Sequence, residues 1–255
     1  MSAFLADHRS LESQLRQLFN VVKHQLTVGP FQFRMLHPRS ADELIDEAEF
    51  NRDERLPYWA EIWPSAFVLA GRIAEFAQAI QAQGLQPLGL GDTSGMRQPR
   101  LLELGCGCGL AVMSALSAGF SVTAVDYYPE ALDFVRLNAV FNGLPLPETR
   151  TVDWRNYPND LVEFDMVVAA DVLYERDYCR LIAGAFRQSL RPGGLGLLTD
   201  PQRIKAEAFP DECVRAGLHI RGPQVSGPLG VPGGDPGVRQ TVNLFDIQRP
   251  ASRAI

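Results

Sequence analysis

Glu103, Gly105, Gly107 and Gly109 sit close together in LLELGCGCGL, residues 101–110, with Cys106 and Cys108 between the glycines. A carboxylate that ends an apolar run and is followed by alternating glycines suits three kinds of chemistry. The first is a metal held by the two thiols. A zinc site needs a second pair or nearby imidazoles, and His8, His24, His37 and His219 are all remote in sequence. The thiols then read as small residues in a tight turn. The second is a dinucleotide loop, G-x-G-x-x-G or G-x-G-x-x-A. Here the third small position is Leu110, and Glu103 would repel a pyrophosphate.

The third reading fits better. A ligand bearing an ammonium and a sulfonium is attracted by Glu103. The glycines let the backbone approach it, and the N–H groups at the helix start receive its carboxylate. This describes S-adenosylmethionine. Asp126 ends the next apolar run, 21 residues after Gly105, where a carboxylate accepts ribose hydroxyls. That spacing suits any nucleoside cofactor. Asp153 and Trp154 follow a third run, where Asp153 accepts an adenine amine and Trp154 stacks on the ring or simply packs.

These residues need a frame to hold them. From Arg100 onward apolar runs alternate with helical patterns. RLLEL, FSVTAVD, TRTVDW, FDMVVAAD and LGLLTD read as strands. GLAVMSALSAG, PEALDFVRLNAVFNG and ERDYCRLIAGAFRQSL read as helices, the last ending at Pro192-Gly193-Gly194. IKAEAFPDECVRAG reads as a helix with a break at Pro210, and HIRGPQV and TVNLFDIQR as closing strands. Alternation of this kind predicts an α/β fold with a doubly wound, mostly parallel seven-stranded sheet. Ahead of it, residues 8–26 read as an amphipathic helix, FQFRML as a strand, and SADELIDEAEF as an acidic helix with Ser40 as N-cap. A helix follows Pro64. The expected organisation is an N-terminal helical and strand extension and lid (1–83), a loop (84–99) and a cofactor-binding core (100–250).

Bulk properties narrow the setting. The chain of 255 residues is 46% hydrophobic with a net charge of -6, so it is globular and has no basic footprint for nucleic acid. No stretch reaches the roughly 18 apolar residues of a membrane span. The N-terminus has no basic start and apolar block of a secretory signal, and the four cysteines do not form a disulfide framework. A cytoplasmic setting with no membrane association is expected.

ELGCGCGL, AVDYYPEAL, NAVFNG, VDW and VVAADVLYE together resemble the class I, seven-β-strand S-adenosylmethionine-dependent methyltransferases, over roughly residues 100–250. PYWAEIWPSAFVLA adds a resemblance to the protein-lysine methyltransferase group, also called nicotinamide N-methyltransferase-like. Members of that group methylate lysines on elongation factors, chaperones, calmodulin and the electron-transfer flavoprotein. The resemblance implies a Rossmann-like methyltransferase fold, S-adenosyl-L-methionine as cofactor, S-adenosyl-L-homocysteine as product, and no metal. It places Trp63, Glu103, Gly105, Cys106, Gly107, Gly109, Asp126, Tyr127, Asp153, Trp154 and Ala170 on the cofactor. Asp171 and Tyr174 match a D-x-x-Y element near the acceptor amine and are the expected catalytic residues. The Gly/Pro-rich segment 227–237 departs from the pattern.

The implied reaction is N-methylation of a lysine on a protein substrate. Asp171 attracts the ammonium and orients the amine, hydrogen-bonds the cofactor, or serves as a helix cap or salt-bridge residue, and Tyr174 orients the lone pair or packs in the core. Tyr58, Trp59 and Trp63 offer aromatic faces to the lysine stem or anchor the segment. The acidic run 42–54 is a solvated face or a steering surface for a basic partner. Two alternatives stand beside this reading. One is a methyltransferase of the same fold acting on a small amine, hydroxyl or thiol, and the other is a methyltransferase-like binding subunit. Asp171-Val-Leu-Tyr174 replaces the Asn-Pro-Pro-Tyr element of many base and glutamine methyltransferases, which argues against nucleic acid as substrate.

Overall fold

The computed structural model describes residues 2–45, 56–83, 98–230 and 239–251. Most of the loop read at 84–99, most of the acidic run 42–54 and most of the segment 227–237 lie outside the described residues.

A seven-stranded sheet forms the centre. Its strands are β3 (Arg100–Leu104), β4 (Ser121–Asp126), β5 (Glu148–Thr151), β6 (Phe164–Ala170), β7 (Leu190–Asp200), β8 (His219–Gly230) and β9 (Arg239–Gln248). They lie in the order β5-β4-β3-β6-β7-β9-β8. Strands β3 to β7 pair in parallel, and β9 runs antiparallel to both β7 and β8. This is the predicted doubly wound α/β sheet.

Side-chain alternation along β3 divides the core. Leu101 packs in one apolar cluster with helices α2 (Pro64–Gln83) and α3 (Leu110–Ser117). Leu102 and Leu104 face the opposite cluster with α5 (Arg176–Ser189) and α6 (Phe209–Arg215). A strand buried on both faces must be apolar throughout, which is why RLLEL and FDMVVAA read as continuous runs. Chain order reverses between β3 and β6. In such sheets ligands bind at the carboxyl ends of the strands beside that reversal.

The N-terminal part corrects one expectation. Helix α1 (Ser2–Leu18) ends well before residue 26, and Val21–Val28 forms strand β1, paired antiparallel with β2 (Phe31–Pro38). Gly29, at φ +54°, and Pro30 form a two-residue turn that reverses the chain. Val21 and Val22 are β-branched, and pairing with β2 outweighs the helical stripe they extend.

Further along, Asp42–Leu44 is one 3-10 turn, and the amide of Asp42 donates to Ser40 Oγ at 3.1 Å. The rest of that expected acidic helix lies outside the described residues. Strand β7 begins at Leu190, so Pro192, Gly193 and Gly194 lie within a strand rather than ending a helix. Pro210 sits in the first turn of α6, where its missing N–H costs nothing, and a 3-10 turn (Ile204–Ala208) precedes it.

Helix α4 (Pro129–Phe141) ties the hairpin to the sheet. The carbonyl of Asn138 accepts from Leu36 N at 2.8 Å. Its amide group donates to Leu36 O at 2.9 Å and to Cys108 O at 3.0 Å. Asn142 repeats the pattern on Arg34, accepting from its N at 2.8 Å and donating to its O at 2.9 Å. Two asparagines four residues apart thus act as an extra strand edge for β2.

Candidate functional site

The carboxyl ends of β3, β4 and β6 open on one cleft. Every sequence-predicted site residue lines it: Trp63, Glu103, Gly105, Cys106, Gly107, Gly109, Asp126, Tyr127, Asp153, Trp154, Ala170, Asp171 and Tyr174. Tyr58 and Trp59 line it too, as do Tyr178 and Arg203, which the sequence reading did not single out.

The turn after β3 shapes one wall. Gly105, Gly107 and Gly109 have φ of +67°, +49° and +86°, in the left-handed region where a Cβ is strained. A Cβ at Gly109 would also lie 2.8 Å from Val135 Cγ2, so helix α4 packs directly on the turn. The turn closes by bonds from Gly105 N and Cys106 N to Val125 O, at 2.8 and 3.1 Å. Cys106 and Cys108 are buried, and that burial pushes both thiols well above the usual range.

Two carboxylates stand on this wall. Glu103 is 2% exposed; burial, and then Asp126, raise its pKa well above the ordinary value. The amide of Val112, in the first turn of α3, hydrogen-bonds the Glu103 carboxylate, while Oε2 is buried without a hydrogen-bond partner among the described residues. A carboxylate oxygen left so is costly unless a donor arrives. Asp126 accepts from Gly107 N at 2.9 Å and from Tyr128 N at 3.1 Å. Burial pushes its pKa to about 6 against the pull of these amides.

On the next strand end, Asp153 caps the 3-10 turn Trp154–Asn156 and is ion-paired with Arg155 at 2.8 Å. The Trp154 ring lies close over Gly105, where an added Cβ would come within 3.0 Å of it. Trp154 thus packs the turn in place while lining the cleft.

The opposite wall is aromatic and charged. Rings contact edge to face in a chain: Trp63 with Tyr58 (6.1 Å), Tyr58 with Tyr174 (5.4 Å), Tyr174 with Tyr178 (4.9 Å) and Tyr178 with Trp154 (5.2 Å). Trp63 Nε1 donates to Tyr58 O at 2.8 Å, which fixes the first pair. Trp59 instead packs with Phe19, Phe134 and Tyr128 and is 8% exposed, so its ring anchors the segment. Asp171 follows β6 at φ +63°, its N–H bonded to Thr199 O at 2.9 Å. Its side chain is 7% exposed and ion-paired with Arg203. Burial raises the Asp171 pKa, and Arg203 pulls it back down.

Tyr178 lies in the first turn of α5, and no motif in the sequence marks it. Arg203 carries no motif; the turn through Gln202, at φ +63°, brings it into the cleft.

Residues 101–194 match the family model of a methyltransferase domain. The chain is 28% identical over 156 residues to the electron transfer flavoprotein beta subunit lysine methyltransferase of Xenopus laevis, covering 60% of this chain and 56% of that protein. It is 30% identical over 130 residues to the protein-lysine methyltransferase METTL21E of Bos taurus, covering 48% of this chain and 40% of that protein. The chain thus spans about half the length of these curated relatives. Among solved structures, a SAM-dependent methyltransferase from Agrobacterium tumefaciens has a TM-score of 0.57 at 17% identity, covering 89% of this chain and 70% of that one. A 16S rRNA methyltransferase of T. thermophilus, in complex with AdoMet and guanosine, has a TM-score of 0.56 at 14% identity, covering 90% of this chain and 50% of that one. These likenesses show the Rossmann-like methyltransferase fold.

Proposed function

With a methyltransferase domain over residues 101–194 as premise, we propose that the chain transfers a methyl group from S-adenosylmethionine to a lysine side chain of a protein. One observation carries the reading. A cation-seeking wall (Glu103, Asp126) and an amine-seeking wall (Asp171, Tyr174) face the same cleft. The lysine methyltransferases among the relatives support the choice of acceptor.

The residues present suit the cofactor. The unpartnered Glu103 Oε2 is placed to accept from an ammonium, and Asp126 retains acceptor capacity for ribose hydroxyls beyond its bonds from the amides of Gly107, Tyr127 and Tyr128. The chemistry supplied by bound S-adenosylmethionine is an electrophilic methyl on a sulfonium, whose sulfur keeps the bonding pair when the methyl leaves. Everything else falls to the chain. Trp63, Tyr58, Tyr174 and Tyr178 exclude water and offer ring faces to a lysine stem and its methylammonium. A free lysine has a pKa of about 10.4, so it arrives protonated. Asp171 accepts a hydrogen bond from that ammonium at its carboxylate, the proton passes to solvent water at the cleft mouth, and the Tyr174 hydroxyl then orients the lone pair. Positioning and desolvation supply the rate.

Among the described residues no helix is long and apolar enough to cross a membrane. Four buried free thiols suit a reducing, cytoplasmic setting, which completes the proposal.

The test incubates the protein with tritiated S-adenosylmethionine and a cell lysate and resolves the products on a gel. A discrete labelled protein band, absent with Asp126→Ala, is expected. Cofactor binding by calorimetry without any band would shift the acceptor to a small molecule. Neither band nor binding would overturn the enzymatic reading.

A further inference from the structure

We propose that Arg203 is a positioning residue of this site: it fixes the Asp171 carboxylate at the acceptor end of the cleft, and Asp200 in turn fixes Arg203. The proposal deepens the methyltransferase reading and rests on it for the role of Asp171.

Asp171 is held in two ways. Its backbone takes a left-handed conformation, costly for a residue with a Cβ, and is anchored by the bond to Thr199 O. Its nearly enclosed carboxylate pairs with Arg203, the only lysine or arginine among the described residues lining the cleft. Arg203 is fixed from the other side. Its N–H donates to Asp200 Oδ1 at 2.7 Å, and Nη1 lies 3.3 Å from Asp200 Oδ2. Asp200 ends β7 and is 1% exposed.

Charge counting gives this cluster a direction. When both buried carboxylates are ionised they share one guanidinium, which leaves one negative charge in excess where the acceptor must enter. A cationic amine completes the balance, and a neutral one does not. One guanidinium nitrogen, Nη1, meets both carboxylates, so a lysine ammonium could take over part of the pairing. The groups facing Asp171 are Arg203 and Asp200 from the end of β7 and the turn after it, and Ser65 from α2. Of these only Arg203 is positive. Without it, burial and Asp200 both push Asp171 towards the protonated form, which cannot attract an ammonium.

The experiment titrates the protein labelled with 13C at the aspartate carboxyl carbons. The Asp171 resonance is identified by its loss in Asp171→Asn. In Arg203→Gln its midpoint is expected to rise by about one pH unit or more. Arg203→Lys should restore part of the shift, which a purely structural role would not do. An unchanged midpoint in Arg203→Gln overturns the proposal. If Arg203→Gln does not fold, the Arg203 Nη–H resonances are compared between the wild type and Asp171→Asn. A clear displacement supports the pairing, and an unmoved resonance overturns it. Neither measurement needs methyl transfer, so failure here is distinguishable from failure of the functional reading.

Discussion

Asp126 combines burial with a task that requires charge. Its pKa of about 6 means that protons compete with ribose hydroxyls for its lone pairs in mildly acidic solution. The sign follows from linkage: the ionised form is the better acceptor, so cofactor affinity holds above pH 6 and is lost as pH falls through it. S-adenosylmethionine should bind about tenfold more weakly at pH 5 than at pH 7.5 by calorimetry, with this dependence smaller in Asp126→Asn, where Glu103 is the remaining buried carboxylate of that wall. A flat profile in the wild type would remove Asp126 from the cofactor site. At the acceptor end, Asp171→Asn and Tyr174→Phe should each lower kcat by about a hundredfold while leaving cofactor affinity within a factor of about two. Normal turnover in both would displace the catalytic assignment. The glycine turn and the carboxylates were readable because their types and spacing are local. Arg203 was not, since its place depends on a left-handed turn at Gln202 that no neighbouring residue announces.

At the scale of elements, the parallel strands were legible because burial on both faces makes them uniformly apolar, as in FDMVVAA. The β1–β2 hairpin was not, because VVKHQLTV continues the stripe of the helix before it and only pairing with β2 decides between them. The same limit hid the early start of β7, where Leu190 pairs with Phe164 before the proline and glycines are passed. Helix α4 was legible as a helix, but the use of Asn138 and Asn142 was not. Asn138→Ala should destabilise the fold by about 2–4 kcal/mol in denaturant unfolding, since it strands the buried N–H and C=O of Leu36. Asn142→Ala, at a more exposed rung, should cost less than half as much. Equal costs would show that the buried rung has no special weight.

For the whole molecule the governing quantity is charge. The chain carries -6 overall, and among the described residues its cleft is lined by Glu61, Glu103, Asp126, Asp153 and Asp171 against one cation, Arg203. Such a field concentrates cationic acceptors and is screened by salt. Labelling of a basic acceptor should therefore fall as salt rises from about 50 to 300 mM, chiefly through kcat/KM. A salt-independent kcat/KM would mean that capture is governed by contact alone.

Asn138 bonds to the hairpin and to the glycine turn with one amide group, through Leu36 O and Cys108 O. A ligand that steadies the turn is then expected to disfavour opening of the hairpin, and to the extent that it does, a loosened hairpin weakens that ligand's binding by the same equilibrium factor. Backbone amides of Val21–Val28, none of which lines the cleft, should exchange with deuterium more slowly once it is filled.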